Sequence, residues 1–514
     1  MGFKLAPGEI YPYSEHKVDI INYIFPNKDS QLRESVESYL DHLKVDSFIL
    51  DERYVDRDFL EDYAAFYASC FKKYKRFCKR ILFFGKNKIE SQEYDAVHES
   101  LSQPKYKNLL TTVEYNDASL ILERNFLGFI VVRPFKSAKL GTTCLKTYPE
   151  NNKRFYPVLK KYTAHIYGFN LEVESMAFLE QDKTVTVCAS TALWSALQIT
   201  GVVYKHAMPS PSTVTKFALS ESHHIKKFPN AGLTVDQIAV GISKVGLEPM
   251  IIKLTSLRKL KAYVYSYASA GIPVVLGMSL FDTEKDENGE LKITPRSKKY
   301  HAVTINGFSI DDKNKETVVG DSAGLYSSKI DMIYCHDDQL CPFARMKLTE
   351  RIITDKGVSF EFMHTGWKNK NNNIHKIAKA EALIIPLYNK IRINFPTVYR
   401  LIQKIDRDIE SALLRFAKIK SPRFEWDIKL VENWNYKSSV RKNEKYISSR
   451  SKILKKPLPK YIWKATSIDE NNENIFEVLF DTTESSVRNS LLCYFCFDSA
   501  YEPILAKLLP NKSI

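Results

Sequence analysis

The chain has 514 residues, eight cysteines and a formal net charge of +15, too long for a single small core and too poor in cysteine for a disulfide-stapled scaffold. Its longest apolar runs, IPVVLGMSLF and LGFIVVRPF, stop short of the roughly 18 to 20 residues that a membrane helix needs, and Pro7, Glu9 and Lys17 stand where a signal peptide would be apolar. Two or three packed domains, reduced thiols, no membrane span and a cytoplasmic location are expected.

Residues 1–150 mix helix and strand signals. Phe59, Tyr63, Phe66, Tyr67, Cys70, Tyr74, Phe77, Cys78 and Ile81 recur at helical spacing, which predicts one long amphipathic helix with the basic residues from Lys72 to Arg80 largely on its solvated face. ASLILE and LGFIVVRPF read as strands, the second ending at Pro134. An α+β domain is expected here.

From Phe169 to Tyr388 the order becomes helix, helix, strand, helix and then several strands. In QDKTVTVCASTALWSALQITG an extended run gives way at Cys188 to a helix with Ala189, Ala192, Leu193, Ala196 and Leu197 at helical spacing and Gly201 as its stop. A thiol at that point meets unsatisfied amides and the positive end of the helix dipole, which favour a thiolate. The same junction also suits a buried structural cysteine. His223 and His224 in SESHHIKKF read as solvated. GLTVDQIAVGISKVGLEPMIIKL and SLRKLKAYVYSYASAGIPVVLGMSL give helix, strand, helix, strand. In KKYHAVTINGFSIDD a strand begins at His301, with Val303 and Ile305 on its face and Ala302, Thr304 and Asn306 on the other. TVVGDSAG is the expected antiparallel neighbour and would bring the Asp321 carboxylate to the imidazole, fixing its tautomer. Cys335, His336 and Cys341 in YCHDDQLCPF lack structural-zinc spacing and read as a loop near a substrate groove. No metal or other cofactor is expected. WKNKNNNIHK reads as a loop and EALIIPLY as a strand.

Beyond these, Val398, Leu401, Ile402, Ile405, Ile409, Leu413 and Phe416 form one apolar helical stripe, and FEWDIKLV, IFEVLF and LLCYFCF read as strands. Cys493 and Cys496 form a CxxC inside the last of these with no second pair at zinc-finger spacing, so a buried strand is expected. Aromatics interleave with lysine from Lys437 to Lys464, yet no zinc finger, RNA-recognition signature or phosphate-binding glycine loop accompanies them. Protein or peptide is therefore the expected partner ahead of nucleic acid. No fixed-period repeat is found.

Two segments carry a family resemblance. HAVTINGF resembles the histidine strand of papain-like cysteine peptidases, a His-Ala-Val followed after three residues by Gly and an aromatic, and CASTALW resembles their nucleophile helix. The order Cys, His, Asp agrees. The elements between them resemble those of peptidases that process double-glycine leader sequences in bacteria, and the likeness covers about Phe169 to Tyr388. It implies an α+β fold with a papain-like central domain over 155–390, its nucleophile helix packed on an antiparallel sheet. Flanking α+β domains would span 1–150 and 391–514, the second a candidate for binding substrate or partner.

The resemblance also implies roles: Cys188 as nucleophile, His301 as its base, Asp321 as third member, and Gln181 as an oxyanion-hole donor beside the Cys188 backbone N–H. Gln181 stands seven residues before Cys188, one more than the commonest spacing, with Asp182 in the usual slot. Ala189 replaces the glycine that follows the nucleophile in many relatives. The activity implied is that of a cytosolic cysteine peptidase or isopeptidase acting through a thioester. Acyl transfer or deamidation by the same residues, a non-catalytic peptide-binding module, and a nucleic-acid-responsive effector remain alternatives. Leader export is disfavoured, since neither a Walker-type loop nor a membrane helix is present.

Overall fold

The structure is a computed structural model that describes residues 10–27, 30–85, 122–149, 151, 153–182, 184–221, 232–314, 323–368, 373–416, 424–510 and 512–513. The first segment contains β1 (Ile10–Pro12), α1 (Tyr13–Ile24), α2 (Gln31–His42), β2 (Val45–Tyr54), α3 (Arg57–Ala65), β3 (Cys78–Gly85), β4 (Phe126–Val132) and β5 (Leu140–Leu145). Its five strands pair in chain order as an antiparallel sheet.

The long helix expected from Phe59 to Ile81 does not form. Asp56 caps α3 by accepting from the Phe59 N–H at 2.8 Å, α3 stops at Ala65, and Tyr67–Ser69 is a single 3-10 turn. CKRILFFG is instead a strand between β2 and β4, with Ile81, Leu82, Phe83 and Phe84 all buried. A run apolar on both faces is better satisfied inside a sheet than on a helix that shows one face to water. The aromatic stripe still packs, since Phe59, Tyr67 and Tyr74 gather around Phe135. Of the basic run, Lys72 to Arg76 fall in the connection, while Lys79 and Arg80 lie on β3. Within ASLILE, residues 118–121 lie outside the described residues and Leu122 and Glu123 are helical, not strand; LGFIVVRPF forms β4 as expected.

The middle of the chain runs β6 (Arg154–Phe155), β7 (Lys160–Ile166), β8 (Phe169–Ser175), α4 (Cys188–Tyr204), α5 (Pro211–Ala218), α6 (Val235–Lys244), β9 (Glu248–Lys253), α7 (Leu257–Ala268), β10 (Val274–Phe281), β11 (Thr283–Lys285), β12 (Leu291–Ile293), β13 (Lys299–Ile310), β14 (Gly324–Leu325), β15 (Ile330–Asp337), β16 (Cys341–Asp355), β17 (Val358–Lys368) and β18 (His375–Leu387). Strands β10, β13, β15, β16, β17 and β18 are neighbours in that order, and β18 pairs back onto β10, closing a six-stranded antiparallel barrel. The expected sheet is thus a closed ring, with β9 added beside β18 and β6 beside β13. Closure leaves β10 with a partner on each side. EALIIPLY lies within β18, and of WKNKNNNIHK the residues 369–372 lie outside the described residues.

The last segment holds α8 (Phe395–Phe416), β19 (Glu425–Glu432), α9 (Asn433–Lys442), α10 (Arg450–Lys455), β20 (Tyr461–Ile468), β21 (Asn474–Asp481), β22 (Leu491–Cys496) and α11 (Glu502–Leu508). Its helix and strands match expectation, and Cys493 and Cys496 are unpaired thiols on β22. The sheet order is β14-β19-β20-β21-β22, so its first strand comes from the middle segment. The buried Lys329 Nζ reaches Glu425 at 2.6 Å, Tyr265 Oη donates to Asp427 at 2.7 Å, and Trp463 Nε1 donates to the Ile393 carbonyl. One apolar cluster runs through all three sheets, from Tyr13 by way of Leu276 and Val303 to Trp463 and Leu505. Among the described residues no helix is long and apolar enough to cross a membrane.

Candidate active site

Cys188 is the first residue of α4, entered from Val187 in extended backbone. The Ser190 hydroxyl turns back to accept from the Val187 N–H at 2.9 Å, and the Thr191 hydroxyl donates to the carbonyls of Val187 and Cys188. Small residues let this helix lie close on the barrel: Ala189, Ala192 and Ala196 are buried with Val275, Ala302 and Ile384. Thr304 Oγ1 donates to the Ala192 carbonyl at 2.6 Å. That bond pins the strand bearing His301 to the helix bearing Cys188, one turn past the thiol. As the alternation in HAVTINGF requires, Thr304 and Ala302 face the helix, while Val303 and Ile305 belong to the main core.

His301 is buried near the start of β13. Its Nε2–H donates to Asp337 Oδ1 at 2.9 Å, and the neighbouring Cys188 side chain acts on its titration. With Nε2 committed to Asp337, Nδ1 is the nitrogen left for the thiol. Burial alone would push the imidazole down. The charge and hydrogen bond of Asp337, the neighbouring Cys188 side chain and the charge of Asp338 act the other way and prevail, so His301 titrates well above its ordinary range.

The carboxylate at His301 is therefore Asp337, the last residue of β15, the strand that pairs antiparallel with β13 in the register Thr304 to His336 and Ile305 to Cys335. Asp321, expected in this role, lies outside the described residues, as does the rest of the stretch 315–322. YCHDDQLCPF is not a loose loop but a buried hairpin joining β15 to β16, with residues 338–340 as its turn. Asp337 Oδ2 accepts from Trp367 Nε1 at 2.7 Å and Oδ1 accepts also from the Gln339 N–H. The Trp367 indole stands edge to face with His301, centroids 5.7 Å apart. Trp367, near the end of β17, thus covers the imidazole–carboxylate pair and orients the acid. The sequence reading missed Asp337 and Trp367. The two adjacent acids closing the half-buried run IDMIYC were the available signal.

His336 is structural. Its Nε2–H donates to the Met176 carbonyl at 2.9 Å, while Nδ1 accepts from the Phe343 N–H and from Asn306 Nδ2. Desolvation holds it down at about 4, so it stays neutral. Cys335 and Cys341 are buried, unpaired thiols. His223 and His224 lie outside the described residues.

Asp338 is a different kind of acid. It is 4 % exposed, its Oδ1 lies 3.9 Å from His301 Nε2, and neither oxygen has a hydrogen-bond partner among the described residues. It lines a cavity of about 10 Å³ together with Cys188, Thr191, Ala192, Ser195 and His336. Burial and then the neighbouring Asp337 push it up to about 7, against the pull of His301 and the nearby Thr191 hydroxyl. His301, Asp337 and Asp338 bring one nitrogen and two carboxylate oxygens within 4.8 Å of one another, a set that could hold a metal ion. Asp337, however, already spends both oxygens on protein donors.

The turn before Cys188 is organised by Asp182. Its Oδ1 accepts from the N–H groups of Thr184, Val185 and Thr186 at 2.8 to 2.9 Å, and its Oδ2 accepts from Tyr67 of the first segment. Gln181 is half-buried in the same turn and does not line the cavity beside Cys188. Asp182, which displaces the glutamine from its usual spacing, thereby has a structural task. No family model and no curated protein sequence matches the chain.

Proposed function

We propose that the chain is a papain-like cysteine hydrolase, a peptidase or isopeptidase that cleaves an amide bond in a protein or peptide. The observation that carries this reading is Cys188 beside a His301 that is hydrogen-bonded to Asp337, with Asp337 held in turn by Trp367, an arrangement assembled from a helix and two adjacent barrel strands. A buried imidazole held strongly basic beside a thiol at a helix N-terminus is the arrangement that nucleophilic thiol catalysis needs.

In this reading His301 takes the Cys188 proton, and Asp337 stabilises the resulting imidazolium. The thiolate attacks the carbonyl carbon. The backbone N–H of Cys188 receives the developing oxyanion, and we assign the Gln181 side-chain amide as a second donor. The imidazolium returns its proton to the departing amine, leaving a thioester. His301 then draws a proton from water as it attacks that thioester, and the acid product and free thiol are released. We place hydrolysis ahead of transfer to another amine, and the protein in the reducing cytoplasm, which suits eight unpaired cysteines.

Alkylation by iodoacetamide at neutral pH tests the assignment. Burial pushes the thiols of Cys78, Cys144, Cys335 and Cys341 up, so background labelling should be slow. Cys188 is expected to react selectively and to lose that reactivity in His301→Ala. In cells, native chain but not Cys188→Ala should generate new protein amino termini. Slow, equal labelling of several cysteines, unaffected by removal of His301, would sink the proposal.

A further inference from the structure

Residues 433–460 hold nine lysines and arginines against one acid, Glu444, in a chain whose whole net charge is +15. They build α9, a short connection and α10, which dock on the last sheet through Tyr436, Val440, Tyr446 and Ile453, packed with Ile462, Leu479 and Phe495. The Tyr436 and Tyr446 hydroxyls both donate to the buried Glu477 carboxylate, at 2.7 and 3.0 Å, which fixes the pair of helices to the sheet. Two large apolar side chains in this unit are turned outward, Trp434 at 79 % and Ile447 at 71 % exposure.

The outward side is cationic. On α9, Trp434 and Arg441 stand at i and i+7 on one stripe opposite Tyr436 and Val440, while Lys437 between them turns its ammonium to the Lys456 carbonyl. Lys445 pairs with Glu473, both largely exposed. Among the described residues Arg441, Lys442, Lys452 and Lys455 are exposed and have no carboxylate within 4.0 Å. Cations without carboxylates attract a polyanion, and an exposed indole set among them offers a face on which a base can stack. A membrane surface fits less well. A helix lying on lipid needs a broad outward apolar face, whereas α9 has already buried Tyr436 and Val440 and flanks Trp434 with Asn433 and Asn435.

We propose that this face binds single-stranded nucleic acid, with Arg441, Lys442, Lys452 and Lys455 on phosphates and the Trp434 indole stacked on a base. The binding is independent of the sequence of bases, since stacking accepts any of them. It does not rest on the reading of Cys188.

Fluorescence anisotropy of the full chain with a labelled 20-nucleotide oligothymidine, from 50 to 300 mM salt, tests it. Affinity should fall steeply with salt, by about 0.7 in log–log slope for each phosphate contacted. Trp434→Ala should weaken binding about tenfold with the slope unchanged. Arg441→Glu with Lys442→Glu should flatten the slope by about 1 to 2, while the Cys188 alkylation rate and the melting temperature stay as in the native chain. The proposal is overturned if the oligonucleotide does not bind at 50 mM salt, if Trp434→Ala binds as the native chain does, or if polyglutamate of equal charge competes as well as unlabelled oligonucleotide.

Discussion

Two neighbouring carboxyls lie beneath one imidazole with different hydrogen bonds. Asp337 accepts from His301, Gln339 and Trp367, whereas Asp338 has burial and a like charge for company. With Asp338 pushed up to about 7, its proton is exchanged near neutrality. Losing it adds negative charge 3.9 Å from His301 Nε2 and favours the imidazolium of a thiolate–imidazolium pair. The alkylation rate of Cys188 is therefore expected to rise with pH through about 7, and Asp338→Asn to lose that step while keeping its other inflections. Superimposable pH profiles for the two would refute the coupling. At this scale the helix starting at Cys188 and the strand carrying His301 were legible in the sequence, because a helix onset and a strand alternation are local patterns. The acid was not. Which carboxylate reaches His301 depends on which strand lies beside β13, and that pairing is decided by the whole barrel.

Among the elements, the least legible was the stretch from Phe59 to Ile81, where aromatic spacing favoured one helix and two flanking strands claimed its end, from Cys78 on. The element best explained is the turn before α4. Asp182 gathers three backbone N–H groups and is itself held by Tyr67, so the first segment fixes the approach to Cys188. Tyr67→Phe should cost about 1 to 2 kcal/mol in a denaturant titration and slow Cys188 alkylation several-fold. Asp182→Ala should do more on both measures, since it leaves three N–H groups without their acceptor. An alkylation rate untouched in both variants would mean that the turn holds its shape without this contact.

For the molecule as a whole, the three α+β segments expected over 1–150, 155–390 and 391–514 each contribute a sheet, yet β14 crosses into the last sheet and one apolar cluster spans all three. Unfolding in urea is accordingly expected as one transition, with far-ultraviolet dichroism, tryptophan fluorescence and accessibility of the buried cysteines changing together. Separated midpoints would show units that fold alone. The closed barrel lay beyond the sequence pattern, because alternation marks strands without saying that β18 returns to β10.

A hoop of strands bonded all the way round does not part like the covers of a book. His301, Asp337 and Trp367 ride together on that rigid frame, near one end of it, while the sulfur arrives on a separate piece tied on by Thr304 and by the Asp182 turn. Under the proposed chemistry, a change that slides the helix of Cys188 along this frame would alter its approach to His301, and the ties to loosen are those two.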